Sequence, residues 1–263
     1  MRDALRIGII GGGWLGGAIA DSLVEAGITG WDGLTLSSRR GGQDRLPRAT
    51  WTTDNAALVE RSEIVLLAVR PEDWATLRLD LGGRLLVSVM AGIGIAALSA
   101  RHGTTRVVRS LPNAAAEVRR SYTPWVGSPG VTAADRDLVR RIFDACGTQD
   151  ELPDEGQIDY LTGLSGSGPA FPALLGAAMI DHAELHGIAP PVARRAVEAV
   201  LIGTGHLFER GRQHPAEMVG IFRAYAGTTA AGIDAMLQAG FAQAVGNGLA
   251  AACRASVRMG DHP

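Results

Sequence analysis

The sequence predicts an α/β fold, in which an N-terminal Rossmann-type domain with a parallel sheet (residues 1–155) precedes an all-α domain (residues 156–263). Two patterns support this prediction. As far as about Pro153, short β-rich runs alternate with segments of helical length, which is typical of a parallel sheet with helices on both faces. From Gly156 onward, Ala-rich segments of helical length are separated by glycines, which indicates a helix bundle.

The elements follow in order along the chain. In the first domain, strands are predicted at Leu5–Ile10, Leu34–Ser37, Ile64–Val69, Leu85–Val89, Arg106–Arg109, Tyr122–Val126 and Thr148–Leu152. Helices are predicted between them at Trp14–Ala26, Asn55–Glu60, Glu72–Arg78, Ile95–Arg101 and Ala133–Ala145. The second domain is expected to hold helices over 169–186, 191–211, 214–222, 229–238 and 240–258. Because these helices are rich in small residues and supply little apolar bulk, we expect a homodimer or larger homo-oligomer built through them.

Composition and charge exclude several classes of protein. The 263 residues carry 27 acidic and 25 basic side chains, so a basic surface for nucleic acid or anionic lipid is not expected. All of the basic residues are arginine, which excludes Schiff-base enzymes and the P-loop lysine. No apolar stretch is long enough to span a membrane. Glycines interrupt the apolar run Ile7–Ala20, which argues against a secretory signal, and with two widely spaced cysteines this favours a cytoplasmic location.

A glycine-rich turn carries the first chemical signal. The run Gly11-Gly12-Gly13-Trp14-Leu15-Gly16 fits G-x-G-x-x-G, directly after a predicted strand and at the start of a predicted helix. In that context glycines permit a tight turn and a close approach of the backbone to a pyrophosphate at the helix N-terminus. Gly11, Gly13, Trp14, Leu15 and Gly16 are therefore candidate cofactor residues. The alternative is a glycine-rich turn without a ligand.

The end of the second strand indicates which dinucleotide would bind. NAD-type sites place an acidic residue there, whereas this chain has Ser37-Ser38-Arg39-Arg40. Hydroxyl and guanidinium groups suit a 2′-phosphate, because arginine holds phosphate in a bidentate fork. The sequence therefore predicts NADPH rather than NADH. The alternative is a solvated, charged loop.

Two further segments are candidates for the substrate side. The glycine and serine run Thr162–Ala170 would bring backbone amides close to a ligand, although such a run can also be a domain linker. Gly227-Thr228-Thr229 opens a predicted helix, where threonine hydroxyls are commonly caps but are also placed to bind a carboxylate or donate a proton. His182 and His186 share one helix face without an evident third ligand, so we expect no metal site.

These motifs together resemble the pyrroline-5-carboxylate reductases over nearly the full length of the chain. Gly11–Gly16 is similar to the dinucleotide loop of that family, and Asn55 to an Asn near its cofactor. The other matching segments are Ala68-Val69-Arg70-Pro71 (Ala-Val-Lys-Pro in the family), Ser88–Ile93 with Ala91-Gly92 (Ser-x-x-Ala-Gly-Val), Arg109–Asn113 (Arg-x-Met-Pro-Asn), Leu161–Ala170, and Gly227-Thr228-Thr229 at the end of the Ser-Pro-Gly-Gly-Thr-Thr substrate loop.

The resemblance implies an NADPH-dependent reductase of a small cyclic imine, foremost 1-pyrroline-5-carboxylate to L-proline, by hydride transfer from nicotinamide C4 to the C=N carbon. It implies an intertwined dimer and adds Asn55, Ala68, Val69, Arg70, Pro71, Ala91 and Gly92 to the cofactor residues. It also implies catalytic roles for Thr229 and Thr228, and substrate contacts from Asn113, Ser165, Gly166, Tyr225, Ala226 and Gly227. The proton comes from Thr229, from water or from a substrate that is already protonated.

Two departures from the family keep other functions open. Ala224-Tyr225-Ala226 replaces Ser-Pro-Gly, and Asn113-Ala114-Ala115 replaces Asn-Thr-Pro, in the region expected to hold the substrate carboxylate. Arg223, beside the first change, is a candidate replacement for the lost contacts. The alternatives are a reductase of a different, secondary-metabolic or modified cyclic imine and a non-catalytic NADPH-binding homologue. A 3-hydroxyacid dehydrogenase shares the two-domain plan, but it relies on a lysine acid that this chain lacks.

Overall fold

The structure, a computed structural model, describes residues 5–39, 46–211 and 214–260. Packing divides the chain into two compact units, one formed by Met1–Ser167 with Ala250–Pro263 and the other by Gly168–Leu249. The boundary predicted between residues 155 and 156 stays a prediction. Arg40 lies outside the described residues.

The first unit contains an eight-stranded sheet within the described ranges. Its strands are β1 (Ile7–Ile10), β2 (Leu34–Ser37), β3 (Thr50–Thr52), β4 (Ile64–Leu67), β5 (Leu85–Ser88), β6 (Val107–Ser110), β7 (Ser121–Gly127) and β8 (Gly147–Glu151). They lie in the order β3-β2-β1-β4-β5-β6-β7-β8. The first six follow the doubly wound dinucleotide-binding order, which reverses between β1 and β4. Ligands of such sheets bind outside the carboxyl ends of the strands at this reversal, where Gly11 and Ala68 follow the two strands.

The predicted α/β class with a Rossmann-type sheet is confirmed, with one antiparallel pair in the sheet. Neighbouring strands are parallel except β6 and β7, where Arg109 lies opposite Val126. A parallel connection needs a crossover of about a dozen residues or more. The segment between Ser110 and Ser121 is shorter and contains a 3₁₀-helix, Ala114–Val118, so the chain reverses direction there. The three-residue edge strand β3 was not predicted, since its side chains are only half-buried and show no apolar alternation.

Helices cover both faces of the sheet. They are α1 (Trp14–Glu25), α2 (Asn55–Arg61), α3 (Pro71–Trp74), α4 (Ile95–His102), α5 (Ala133–Cys146) and α6 (Gly156–Leu161). Alternate strand residues point to opposite faces, so Ile9 joins the apolar layer that includes Phe143 of α5, while Ile10 joins the layer that includes Leu98 of α4. Helix α3 ends earlier than predicted, and beyond it the Leu79 amide donates to Nδ1 of buried His102 at 3.3 Å.

The second unit is helical in its described residues. Helices α7 (Ala170–Leu185), α8 (Pro190–Gly211), α9 (Pro215–Ala224), α10 (Thr228–Gln238) and α11 (Phe241–Gly260) agree with the predicted ranges within two residues, and α11 continues into the first unit. Gly176 lets α7 approach α8 closely, because a Cβ there would lie 3.0 Å from a methyl of Leu201. Within the ranges described, we find no helix that combines the length and the apolar character of a membrane span.

Candidate active site

The glycine loop follows β1 and leads into α1 at the topological switch point. Gly11 has a φ of +102°, and a Cβ on it would lie 2.4 Å from the carbonyl oxygen of Ala68. A Cβ on Gly16 would lie 2.2 Å from the carbonyl oxygen of Gly11, so both positions require glycine for packing. Gly13, the N-cap of α1, instead faces space with no heavy atom within 4 Å of an added Cβ. The loop therefore leaves room for a ligand at the N-terminus of α1, and helix N-termini favour anions.

A cavity of about 350 Å³ opens beside this loop. Gly11, Gly12 and Gly13 line one side. Ser37, Ser38, Arg39, Thr53, Asn55 and Asp73 line the part near the end of β2, and Ala68, Val69 and Arg70 line the part that follows β4. Pro71 begins α3 directly after them. Residues from four separate sequence motifs thus meet at one cavity.

Polar groups at the end of β2 are held in fixed positions. The buried Ser37 hydroxyl donates to Oδ1 of Asn55 at 2.7 Å. The carbonyl oxygen of Ser37 accepts from the amides of Gly11 and Gly12 at 3.1 and 2.9 Å. Arg39 is largely exposed, and its guanidinium forms an ion pair with Asp73. The role of Asp73 was not visible in the sequence, because the carboxylate comes from α3 and not from the end of β2.

The residues fit a dinucleotide on structural grounds. The first turn of α1 contains no acidic residue that would repel a phosphate. The open side of Gly13 gives a close approach to the backbone, and the hydroxyls and Arg39 supply donors at the other part of the same cavity. Ser37 occupies the position where an NAD-type site would hold a carboxylate.

Ala91 and Gly92 follow β5, and Gly92 contacts the last helix. Gly92 has a φ of +77°, and a Cβ there would lie 2.5 Å from Cβ of Met259 at the end of α11. Ala91 packs against the small apolar cluster of Leu111 and Ile158. In this structure the two residues are packing contacts within the first unit, and their predicted cofactor role stays a prediction.

The predicted substrate residues of the first unit form a connected group. The Asn113 side chain donates from Nδ2 to the carbonyl oxygen of Ser165 at 2.9 Å, and its Oδ1 accepts from the Ala115 amide at 2.9 Å. The Ser165 hydroxyl donates to the carbonyl oxygen of Leu161 at 2.9 Å. Asn113 therefore ties two of the motifs together.

The first part of the glycine and serine run is helical, and the boundary between the two compact units falls within the run, after Ser167. Thr162–Gly166 form one turn of π-helix after α6, a geometry that is often found at functional sites. A Cβ on Gly166 would lie 2.6 Å from a methyl of Leu111, so this glycine permits close packing.

The indole N–H of Trp14, at the start of α1, donates to Glu117 at 2.8 Å and links the glycine loop to the 3₁₀-helix after Asn113.

The remaining predicted residues lie in the helical unit, at the turn before α10. Tyr225 is 79% exposed. Ala226 and Gly227 both have positive φ, 57° and 76°, so the alanine adopts a conformation that glycine favours. Thr228 and Thr229 form the first turn of α10. Arg223 forms an ion pair with Asp234 at 2.7 Å, so its guanidinium already has a carboxylate partner within this unit.

Metal and thiol chemistry find little support in the described ranges. There, no cluster of three or more His, Cys, Asp or Glu side chains is arranged to hold a metal ion. The rings of His182 and His186 stack with centroids 4.4 Å apart. Burial raises the pKa of the Cys146 thiol to about 11, and a hydrogen bond with Ser22 opposes this only in part. Cys146 is therefore protonated at neutral pH and is not a nucleophile.

Comparisons with known proteins agree with this geometry. The family model for pyrroline-5-carboxylate reductase dimerisation matches residues 155–259. The model for NADP oxidoreductase, coenzyme F420-dependent, matches residues 6–92. A pyrroline-5-carboxylate reductase from Methanosarcina acetivorans is 32% identical over 266 residues, which cover 97% of this chain and 98% of that one.

Solved structures share the fold. A Plasmodium falciparum pyrroline carboxylate reductase with NADP bound superimposes with a TM-score of 0.86 at 23% identity, and the match covers 99% of both chains. The Coxiella burnetii pyrroline-5-carboxylate reductase gives a TM-score of 0.87 at 23% identity, covering 98% of this chain and 99% of the other. From the relative that is 32% identical over almost the whole length, we conclude that the chain belongs to the pyrroline-5-carboxylate reductase family.

Proposed function

We propose that this protein catalyses the NADPH-dependent reduction of 1-pyrroline-5-carboxylate to L-proline. The observation that carries the proposal is the cavity at the switch point, in which the glycine loop and the Ser37–Arg39 segment face each other in a member of this family. NADPH, when bound, supplies a hydride to the carbon of the imine. The protein's share of the work is to orient the two reactants and to stabilise charge.

On this proposal each part of the cavity holds one part of the cofactor. The N-terminus of α1 binds the pyrophosphate, with Gly11, Gly13, Trp14, Leu15 and Gly16 shaping the approach. Ser37, Ser38 and Arg39 bind the 2′-phosphate, and Asn55 is held beside them by the Ser37 hydroxyl. Ala68, Val69, Arg70 and Pro71, together with Ala91 and Gly92, belong to the nicotinamide side. Arg70 keeps the positive charge of the family's lysine, with a different hydrogen-bond geometry.

The substrate side combines the two threonines with backbone donors. We propose that the amides and hydroxyls at the start of α10 bind the carboxylate, because a helix N-terminus favours an anion. Thr229 is then the hydroxyl beside the imine nitrogen, with Thr228 next to it. Asn113, Ser165 and Gly166 contribute through the segment that Asn113 fixes, and Tyr225, Ala226 and Gly227 through the turn before α10.

A steady-state assay tests the activity and the role of Thr229 together. NADPH absorbance is followed with 1-pyrroline-5-carboxylate for the wild type, Thr229→Val and Thr229→Ser. If Thr229 hydrogen-bonds the imine nitrogen, Thr229→Val lowers kcat by roughly 100-fold, the usual scale for a lost proton-transfer group, and Thr229→Ser retains most of it. An equal kcat for all three proteins would assign the proton to water or to a substrate that is already protonated. If the wild type does not oxidise NADPH in the presence of 1-pyrroline-5-carboxylate, the proposed function is wrong.

A second candidate is a reductase for a different cyclic imine. Its support is the altered turn, where Ala224-Tyr225-Ala226 stands in place of Ser-Pro-Gly and Arg223 is paired with Asp234. Imines that differ in ring size and in the presence of a carboxylate distinguish the two candidates. A higher kcat/KM for another ring favours the second candidate. Tight NADPH binding without turnover of any imine would instead indicate a non-catalytic homologue.

We also propose a homodimer and a cytoplasmic location. The match to the dimerisation model and the exposed apolar side chains of α7 and α8 support self-association through the helical unit. Cys146 and Cys253 are free thiols, which suits a reducing compartment.

A further inference from the structure

An acidic residue lies at the part of the cavity where we place the 2′-phosphate. Asp73 of α3 lines the cavity, and its Oδ1 accepts a hydrogen bond from Nη2 of Arg39. The side chains of Arg39 and Asp73 are 73% and 27% exposed, so both are within reach of a ligand. The backbone amide of Asp73 donates a hydrogen bond to the carbonyl oxygen of Arg70 at 2.9 Å. The carboxylate is thus left to pair with Arg39.

The two charged groups have opposite preferences for the two nicotinamide cofactors. A guanidinium binds a 2′-phosphate, whereas a carboxylate repels that phosphate and accepts a hydrogen bond from a 2′-hydroxyl. NAD-type sites carry such a carboxylate at the end of the second strand, a position that Ser37 occupies in this chain. In this chain a carboxylate reaches the same cavity from α3 instead.

We propose that Asp73 is a cofactor-selectivity residue that lowers the preference of this protein for NADPH over NADH. A 2′-phosphate must compete with Asp73 for Arg39, and its negative charge then lies near the Asp73 carboxylate. A 2′-hydroxyl leaves the ion pair intact and can donate to Asp73. The inference rests on the proposed function only in requiring that a nicotinamide dinucleotide binds this cavity.

The fold does not depend on this ion pair. Exposed pairs contribute little to stability, and Arg39 is mostly exposed. We therefore expect Asp73→Asn to fold as the wild type does. Asp137 offers a matched control in the same unit, because it is an exposed aspartate that pairs with an arginine, Arg140, at 2.9 Å and does not line the cavity.

Binding titrations with NADP⁺ and NAD⁺, without imine, test the inference. For each protein the readout is the dissociation constant of NAD⁺ divided by that of NADP⁺. Removing one charge a few ångströms from the phosphate should raise this ratio about tenfold in Asp73→Asn, mainly through tighter NADP⁺ binding, and less at high salt. Asp137→Asn, which changes the net charge equally, should leave the ratio at its wild-type value. Arg39→Gln should lower it, and Asp73→Glu should retain it.

The outcomes separate this inference from the proposed activity. An unchanged ratio in both Asp73→Asn and Asp73→Ser, or an equal rise in Asp137→Asn, overturns the inference and leaves the proposed activity standing. If the ratios of dissociation constants are as expected but no imine is turned over, the proposed activity is wrong and the inference about Asp73 stands. A wild-type protein that binds neither nucleotide overturns both.

Discussion

At the scale of single residues, the turn before α10 holds an alanine in a conformation that suits glycine. Ala226 has a φ of 57°, in the left-handed region, and the next residue, Gly227, also has a positive φ. An L-residue with a Cβ pays about 1 kcal/mol or more there. The Ser-Pro-Gly motif of the family has glycine at this position, a residue that adopts positive φ without steric cost.

Replacing Ala226 by glycine should therefore stabilise the protein. We expect Ala226→Gly to raise the free energy of unfolding by about 0.5–1 kcal/mol, because relief of strain exceeds the added entropy of the unfolded chain. Denaturant unfolding measures the change. Ala224→Gly, two residues earlier in α9, is the control and should lower the free energy of unfolding by a similar amount. A loss of stability in both variants would show that Ala226 is not strained.

At the scale of elements, a buried ion cluster connects four of them in the first unit. Arg109 of β6 donates to Glu155 at 3.1 Å and to Asp159 of α6 at 2.7 Å. The Ser256 hydroxyl of α11 also donates to Asp159, at 2.9 Å, and the Ile95 amide at the start of α4 donates to Glu155 at 2.8 Å. The side chain of Arg109 is only 5% exposed, so its removal leaves two carboxylates without their cation.

We expect Arg109→Met to lower the free energy of unfolding by about 2 kcal/mol, since two partly exposed carboxylates lose their hydrogen bonds to a cation. Arg6→Met is the control, because Arg6 forms an exposed pair with Glu63 and should change stability by less than about 1 kcal/mol. Adding Asp159→Asn to Arg109→Met should recover part of the loss. Equal losses in the two single variants would show that the cluster does not stabilise the fold.

The sequence predicted elements better than it predicted contacts. Patterns of apolar residues identified β2 with its bounds and the five helices of the second half within two residues, because burial on a sheet face or helix stripe leaves a periodic signal. The glycine loop was identified because its turn and close contacts require glycine. Asp73 and the Arg109 cluster were missed, since such pairs join residues that are distant in the chain and carry no local pattern.

At the scale of the whole molecule, a buried histidine makes stability depend on pH. Burial, together with the nearby charge of Arg101, lowers the pKa of His102 from 6.5 to about 4. Because the folded state resists protonation of His102, the free energy of unfolding should fall as pH drops from about 6.5 towards about 4. The linked loss is about 3 kcal/mol for a shift of this size.

His102→Gln tests this dependence, since glutamine keeps an acceptor for the Leu79 amide without a titrating group. Unfolding free energies are measured for both proteins between pH 7 and pH 4. The wild-type value should fall more steeply. Asp135 has little effect in this range, because Arg106 and the amide of Thr132 outweigh burial and lower its pKa, so its contribution to stability is lost only below about pH 3.8, in both proteins. Parallel curves for the two proteins would contradict the role of His102.

The surface of the helical unit predicts association of whole molecules. Leu174 and Leu185 of α7 are 70% and 84% exposed, and Val200 and Ile202 of α8 are 53% and 62% exposed. Residues 200 and 202 point to different sides of α8, so apolar side chains are exposed on more than one face of that helix. A helix that is apolar on several faces is normally buried, but α8 is not buried within a single chain. A second copy that covers α7 and α8 would remove this surface from water.

We expect light scattering to give about twice the 27.4 kDa of one chain. Ile202→Glu should yield monomers, because a charge in the contact would be desolvated without a partner, and the variant should unfold at lower denaturant concentration. Val118→Glu is the matched control, since Val118 is 67% exposed in the first unit, and it should leave the wild-type mass unchanged. If Ile202→Glu also retains the wild-type mass and stability, the exposed faces of α7 and α8 are not the contact between copies. The mass of the wild type is then explained by another surface.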